Sequence, residues 1–375
     1  DQITTIATLH GNNDYIYSSL GKDILLGGQG IDTLTSGSGD AQDTDVLGDI
    51  ILGDMGQATF ATNGNGRIDN LKLIQVTSLD TSNSVGGNDI ITSGKGRDVV
   101  LGGNASDTIN THAGNDVVVG DSGQATFNPT NNQLVSIQTI DPTQGATDTI
   151  NTHADHDTVL GGAGGDIIDT ADGNDIVLGD NGQAAFDISE LLQWIQTSDP
   201  AVGDSDHLLL GDGNDIALGG AKSDYINVTP TDPSVLQGTD TGADIVLGDN
   251  GRIDLHGSST IVDTTQATDP TIGAADYIFT DAGDDVVIGG FGPDVIDTDA
   301  NDDTILGDSG YAKFTSSGDL SQLSSDLTLI GQGTAATNVG DNDTIVTGSG
   351  EDVALGGYGT AYINVTKDDT RTANA

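Results

Sequence analysis

The sequence predicts an all-β protein, a parallel right-handed β-solenoid, and three observations carry that expectation. Aspartates recur at intervals of nine, as at Asp89, Asp98, Asp107 and Asp116, and two places after each stands Ile91, Val100, Ile109 or Val118. A period of nine is neither helical nor a plain strand alternation; it is a short strand and a tight turn repeated along a solenoid. Composition is the second observation. Only 34% of the 375 residues are hydrophobic and 4% aromatic, too few for a compact core of ordinary proportions, while glycine numbers 55. The third is charge. The net charge is −48, and of 58 acidic residues only Glu190 and Glu351 are glutamates. Low hydrophobicity with high charge is the usual signature of disorder. Here the charge is too regularly placed, and near-exclusive aspartate beside glycine sets each carboxylate against a turn backbone, where the shorter side chain fits.

Taken in order, the chain reads as one continuous repeat array over 1–375, with blocks at 14–60, 89–127, 148–186, 206–255, 276–314 and 343–375. Spacers occupy 61–88, 128–147, 187–205, 256–275 and 315–342. The first block sets Asp14, Asp23 and Asp32 nine apart, reaches Asp49 after an insertion, and closes on Gly53-Asp54 and Phe60. The second runs from Asp89 to Asp116 and closes on Gly120-Asp121 and Phe127. Asp148, Asp157, Asp166 and Asp175 form the third, closed by Gly179-Asp180 and Phe186. The fourth has Asp206, Asp215 and Asp224, an insertion, then Asp244, with Gly248-Asp249 and Leu255 at its close. Asp276, Asp285, Asp294 and Asp303 form the fifth, ending at Gly307-Asp308 and Phe314, and Asp343 and Asp352 begin the last. Each closing unit moves its carboxylate from the sixth place of the turn to the second.

The spacers share a grammar: 134–142 and 191–200 each read as a strand ended by Asp-Pro. Two arrangements are open. Each spacer strand pairs with the aromatic strand before it as a hairpin on the flank, or the two form a degenerate coil of the same solenoid. The longer spacers, Phe60 to Ile91 and Phe314 to Ile345, exceed the others by roughly one repeat, as if the spacer grew by the same unit. Two nonapeptides then make one coil, with a strand on each side, a glycine turn at each edge and about 4.8 Å of rise. The expected core is one layer of Ile, Val and Leu from each side, too thin to fold without a ligand in the turns.

The turn Gly161-Gly162-Ala163-Gly164-Gly165-Asp166 shows what that ligand is. Its glycines permit positive φ and free the carbonyls to point outward together, and the aspartate closes the cage. Residues eighteen apart share an edge, so Asp148 should stack on Asp166 and Asp157 on Asp175. Two carboxylates and several carbonyls make an all-oxygen site whose flexible geometry suits Ca²⁺ better than Mg²⁺. Every sixth-place aspartate named above is therefore an expected calcium ligand. Asp54, Asp121, Asp180, Asp249 and Asp308 are expected as variant ligands, with a structural cap as the alternative.

The runs Gly27-Gly28-Gln29-Gly30-Ile31-Asp32-Thr33-Leu34 and Gly161 to Ile168 match the nonapeptide G-G-x-G-x-D-x-U-x. The chain resembles the RTX (repeats-in-toxin, hemolysin-type) calcium-binding family over nearly all of its length except the spacers. The resemblance implies a parallel β-roll with calcium in its turns, export by a type I system, and folding on contact with extracellular calcium. Gly102-Gly103-Asn104-Ala105-Ser106-Asp107 and Gly219-Gly220-Ala221-Lys222-Ser223-Asp224 depart from the pattern by lacking the fourth glycine, and Ala361 replaces an expected aspartate. The spacer after every four units departs too. It points to the long tandem arrays of surface proteins rather than a short module beside an enzyme.

Several functions are excluded. The acidic excess rules against nucleic acid and anionic membrane as partners, and no apolar run is long enough to span a bilayer. The absence of cysteine fits an extracellular protein without disulfides. Asp1 is not an initiator methionine and both ends stop in mid-array, so a longer natural chain, or ends that abut neighbours, is expected. Gly120-Asp121-Ser122-Gly123 and Gly307-Asp308-Ser309-Gly310 spell a serine-protease motif, but the equivalent place elsewhere holds Met55, Asn181 and Asn250. His112, His153 and His156 read as exposed turn residues, and Trp194 as a buried strand anchor. Carboxylate pairs recur in every block, whereas a glycosidase pair occurs once. The expected function is non-enzymatic: a calcium-stiffened rod of a secreted or cell-surface protein, serving as adhesin stalk, surface layer or matrix fibre. Alternatives are the folding module of a secreted enzyme, and a protomer that associates end to end into a filament.

Overall fold

The computed structural model describes residues 2–4, 11–37, 46–62, 68–79, 86–236, 240–257, 261–325 and 340–365. No helix occurs among them. Each described sixth-place aspartate is followed by a strand of two to five residues, most often three, kept short by the turns on both sides. Successive strands alternate between two parallel sheets. An outer sheet of 12 strands runs from Tyr15–Tyr17 to Tyr362–Val365, and a central sheet of 11 from Ile24–Leu26 to Val353–Leu355. The register is the one the period of nine demands: Ile109 lies between Ile91 and Ile150, and Val118 between Val100 and Val159.

The spacers form hairpins. Gly123–Phe127 pairs antiparallel with Leu134–Thr139, and Gly182–Phe186 with Leu192–Thr197. The hairpins also pair with one another, Gln124 against Thr77 and Gln138 against Gln183, so that they build a continuous third sheet of 11 strands. Register shifts fall beside Phe60, Phe127, Phe186, Leu255 and Phe314, at the same place in each hairpin. A bulge of this kind bends the strand and re-aims the side chain next to it.

This third sheet adds a second core to the expected one between the two parallel sheets. The middle residues of the parallel strands, among them Leu34, Ile91, Val100 and Ile168, fill the space between the outer and central sheets. Their neighbours in the central strands, such as Leu101, Val117, Val119 and Leu178, point the other way and pack against Phe60, Phe127, Ile137 and Ile195 of the hairpin sheet. The sequence reports the difference. Central strands are mostly apolar, as in Val117-Val118-Val119 and Ile176-Val177-Leu178, and most are covered on both faces. Outer strands read Thr108-Ile109-Asn110 and Thr149-Ile150-Asn151, with only the middle residue buried.

Three expectations change. The first long spacer does not add a nonapeptide coil among the described residues; it lengthens the hairpin, where Ile68–Ser78 pairs with Gly56–Thr62. The extra part of the second, 326–339, lies outside the described residues, as does the insertion at 38–45. The insertion before Asp244 forms a small hairpin of Val228–Thr229 against Asp232–Leu236. Trp194 is half-buried rather than a core anchor. Strand alternation turns Ile195 inward and Trp194 to the other face, where the Arg252 guanidinium lies 4.6 Å from its ring.

The two-layer core has a measurable signature. Leu178→Ala, at a side chain sealed between central and hairpin sheets, should cost about 2–5 kcal/mol in the calcium-loaded protein. Ile167→Ala, on the open face of the outer sheet where Ile167 is 43% exposed, should stay within about 0.5 kcal/mol. Denaturant melts in calcium compare them, and equal losses would contradict the layer assignment.

Candidate metal centres

The sixth-place aspartates form two ladders. The Asp148 N–H donates to Asp166 Oδ1 at 2.7 Å, and the Asp157 N–H to Asp175 Oδ1 at 2.8 Å. The same bond joins Asp89 to Asp107 and Asp98 to Asp116. It also crosses the spacers, from Asp107 to Asp148 at 2.7 Å and from Asp166 to Asp206 at 2.6 Å. One ladder thus runs through Asp14, Asp32, Asp89, Asp107, Asp148, Asp166, Asp206, Asp224, Asp276, Asp294 and Asp343. The other runs through Asp23, Asp49, Asp98, Asp116, Asp157, Asp175, Asp215, Asp244, Asp285, Asp303 and Asp352. Every rung uses Oδ1. On the first ladder Oδ2 of Asp32, Asp107, Asp148, Asp166, Asp206 and Asp276 is buried with no hydrogen-bond partner.

Around those oxygens the first ladder's turns leave a cradle. A Cβ on Gly161 would lie 2.2 Å from the Gly179 carbonyl oxygen and 2.4 Å from Asp166 Oδ2. On Gly102 it would lie 2.1 Å from the Gly120 carbonyl oxygen and 2.6 Å from Asp107 Oδ2. The first glycine is therefore required for space, and the space is lined by oxygen. The second is required for conformation: Gly103, Gly162 and Gly220 have φ of 117°, 120° and 118°, where an L residue is strained.

The opposite edge is built differently, a distinction the uniform nonapeptide reading missed. Its first place holds buried Ser93, Thr111, Thr152, Thr170, Thr280, Thr298 and Thr347 instead of glycine. Thr280 Oγ1 donates to Asp285 Oδ2 at 2.5 Å and Thr298 Oγ1 to Asp303 Oδ2 at 2.6 Å. Its second place holds His112, His153, Ala171 and Asp281 at φ of 61°, 66°, 59° and 63°, the left-handed region that L residues enter for roughly 1–2 kcal/mol. The signal was present in the sequence as a Ser or Thr opening alternate repeats, with Leu210 before Asp215 as the exception. His112 and His153 are half-buried and stack at 5.1 Å, rather than standing exposed. Ser122, in the protease-like motif, is buried and hydrogen-bonds to Asn104 Oδ1.

The closing units also differ from expectation. Their sixth-place carboxylate is not lost. Gly53 faces Asp89 Oδ2, Gly120 faces Asp148 Oδ2, Gly179 faces Asp206 Oδ2, Gly248 faces Asp276 Oδ2 and Gly307 faces Asp343 Oδ2. Each hairpin is thus inserted into the middle of a turn, and the aspartate that opens the next block completes it. The second-place carboxylates brace the point of return. Asp121 accepts N–H bonds from Ala146 at 3.3 Å and Ala163 at 2.5 Å, and Asp54 from Gly87 at 3.2 Å and Asn104 at 2.6 Å. Asp180 takes Asp204 and Ala221, Asp249 takes Ala274 and Phe291, and Asp308 takes Asp341 and Tyr358.

The irregular turns divide. Ala105 and Lys222 keep the left-handed conformation at φ of 80° and 77° without glycine. The cradles of Gly102 and Gly219 retain Asp107 Oδ2 and Asp224 Oδ2. Facing Gly356, by contrast, the Ala361 methyl stands where other turns present a carboxylate.

Burial raises these carboxyl groups far above the ordinary carboxylate range. It pushes Asp89 and Asp157 up to about 8 and Asp166 and Asp175 to about 7. Asp148 is raised well above its usual value by burial and then by the Asp166 charge. Stacked buried carboxylates stay ionised only beside a cation. Orphaned oxygens, carbonyl-lined cradles and an oxygen-only donor set all fit a hard divalent ion.

These features define a cation-dependent β-roll. The model of the RTX calcium-binding nonapeptide repeat matches residues 10–40, 84–118, 92–126, 145–183, 203–227, 275–311 and 338–360, just over half of the chain. The chain belongs to that family, and its turns bind calcium ions. No curated protein matches it.

Two outcomes follow from this chemistry. Groups whose pKa rises on folding stabilise the fold fully below their unfolded value near 4, and that contribution is lost as pH climbs through about 7 to 8. Metal-free protein should therefore gain β-type circular dichroism as pH falls from about 9 to 5, the reverse of ordinary acid unfolding; loss of structure over that range would contradict the burial. Asp166→Asn, which removes a charge from a Gly161 cradle, should lower stability by about 1–3 kcal/mol in calcium. Thermal melts at fixed calcium measure it.

Proposed function

We propose that this chain is a calcium-stiffened structural segment of a secreted or cell-surface protein, without catalytic activity of its own. The observation that carries the reading is the continuity of the carboxylate ladders, which cross every spacer and repeat one chemical unit with no place singled out for a reaction. The glycine-edge aspartates are the principal ligands, the threonine-edge aspartates weaker ones, and Asp54, Asp121, Asp180, Asp249 and Asp308 braces. Where calcium is scarce, −48 of charge keeps the chain expanded and fit for export. Outside, calcium binding and folding become one event. Each pair of coils adds only about 10 Å of length, while the hairpin sheet adds a layer of thickness. The segment is therefore suited to stiffness, as in an adhesin stalk, a surface layer or a matrix fibre.

Calcium titration of the dialysed protein, read by circular dichroism and small-angle scattering, tests the proposal. The expected result is collapse from an expanded chain to a compact particle as β signal appears. An unchanged scattering profile up to roughly 10 mM calcium, well above the affinity range of extracellular sites, would overturn it. Sedimentation in calcium separates a monomeric segment from one that associates end to end.

A further inference from the structure

One acidic cluster lies outside the regular turn pattern. Asp240 occupies the second place of the turn leading to Asp244, where other turns of that edge carry His112, His153, Ala171, Asp281 or Asp299. Asp299, its counterpart two coils on, is exposed, whereas Asp240 is 4% exposed. Its Oδ1 accepts N–H bonds from Gly242 at 2.8 Å and Gly213 at 3.2 Å, and its Oδ2 is buried with no partner. The ladder residues Asp215 and Asp244 are each 1% exposed. Their Oδ1 atoms accept the N–H groups of Asp175 and Asp215 at 2.7 and 2.9 Å, and their Oδ2 atoms too are buried and orphaned. One oxygen from each of the three carboxylates lies within 4.8 Å of the others. Among the described residues no other such group of three occurs.

We propose that Asp215, Asp240 and Asp244 form a tricarboxylate site for a hard divalent cation, calcium, that fills ahead of the other sites on its edge. Three buried carboxylates with unused oxygens carry a large desolvation penalty unless a cation sits among them. The donors are all oxygen, which disfavours zinc and copper, and calcium affinity rises with the number of charged ligands. The surroundings hold the turn in place. The Asp240 N–H donates to Asp281 Oδ2 at 3.2 Å, and Thr241 donates its N–H and hydroxyl to Asp212 Oδ1 at 3.1 and 2.8 Å. At Thr280 and Thr298 of the same edge a hydroxyl donates to the ladder carboxylate; here a third carboxylate stands beside the ladder pair instead. The inference concerns the order of loading and stands apart from the proposed structural role.

Calorimetric titration of the metal-free full chain with calcium tests it, using Asp240→Asn and, as control, Asp299→Asn. The wild type and the control should show about one equivalent binding roughly tenfold more tightly than the following sites on that edge. Asp240→Asn should lose that step while folding normally at saturating calcium. A titration of Asp240→Asn that superimposes on the wild type overturns the proposal, as does loss of the same step in Asp299→Asn. A stability deficit of equal size at low and saturating calcium, including failure to fold in either, assigns Asp240 a purely structural role and overturns it as well.

Discussion

The structure depends on one hydrogen bond, the donation of an aspartate N–H to Oδ1 of the aspartate one coil along. It fixes the side-chain rotamer, because the carboxylate can reach that N–H only by lying along the stack. In doing so it commits one oxygen to the backbone and holds the other inside the turn, as at Asp148 and Asp166. Glutamate, one methylene longer, would overshoot the rung. This accounts for a chain with 58 acidic residues of which only Glu190 and Glu351 are glutamates. Glu190 stands apart from the ladders, pairing with Arg97 and accepting the Leu134 N–H.

A second constraint follows from the first. The rung repeats on both edges, but the space beside it does not. Where the first turn residue is glycine, the neighbouring coil's carbonyl and the free Oδ2 share an opening. Where it is threonine a hydroxyl stands there instead; at Thr280 and Thr298 it donates to the carboxylate, whereas Oδ2 of Asp116, Asp157 and Asp175 stays orphaned. The roll is thus chemically two-sided. The same two-sidedness appears in its sheets, since the central sheet is covered by hairpins and the outer sheet faces solvent.

Much of this was legible in the sequence. The strict interval gave the coil, the register and the aspartate stacking, because each depends only on local spacing. What lay beyond reach was set by contacts between distant segments. Nothing local in Gly120-Asp121 announces that its turn is completed by Asp148, so the closing unit read as an altered repeat with its carboxylate moved. The fate of the spacers was open for the same reason. Two signals were present but unread: Ser or Thr opening alternate turns, Leu210 excepted, and strands such as Val117-Val118-Val119 that are apolar at all three places. Treating the nonapeptide as one unit averaged them away. Asp240 stands at the second place of its turn rather than the sixth, so the interval that marked the ladder ligands passed over it.

The hairpins' position inside turns has a topological consequence. Gly53 and Asp89, or Gly307 and Asp343, are far apart in the chain yet line one cradle. An ion there closes a long loop, removing conformational freedom from the chain as a covalent staple would. A protein without cysteine thereby obtains a set of cross-links that form and open with calcium concentration. Because the ladder passes beneath each hairpin regardless of its length, those loops are the places where the chain can be lengthened or exchanged without disturbing the metal array.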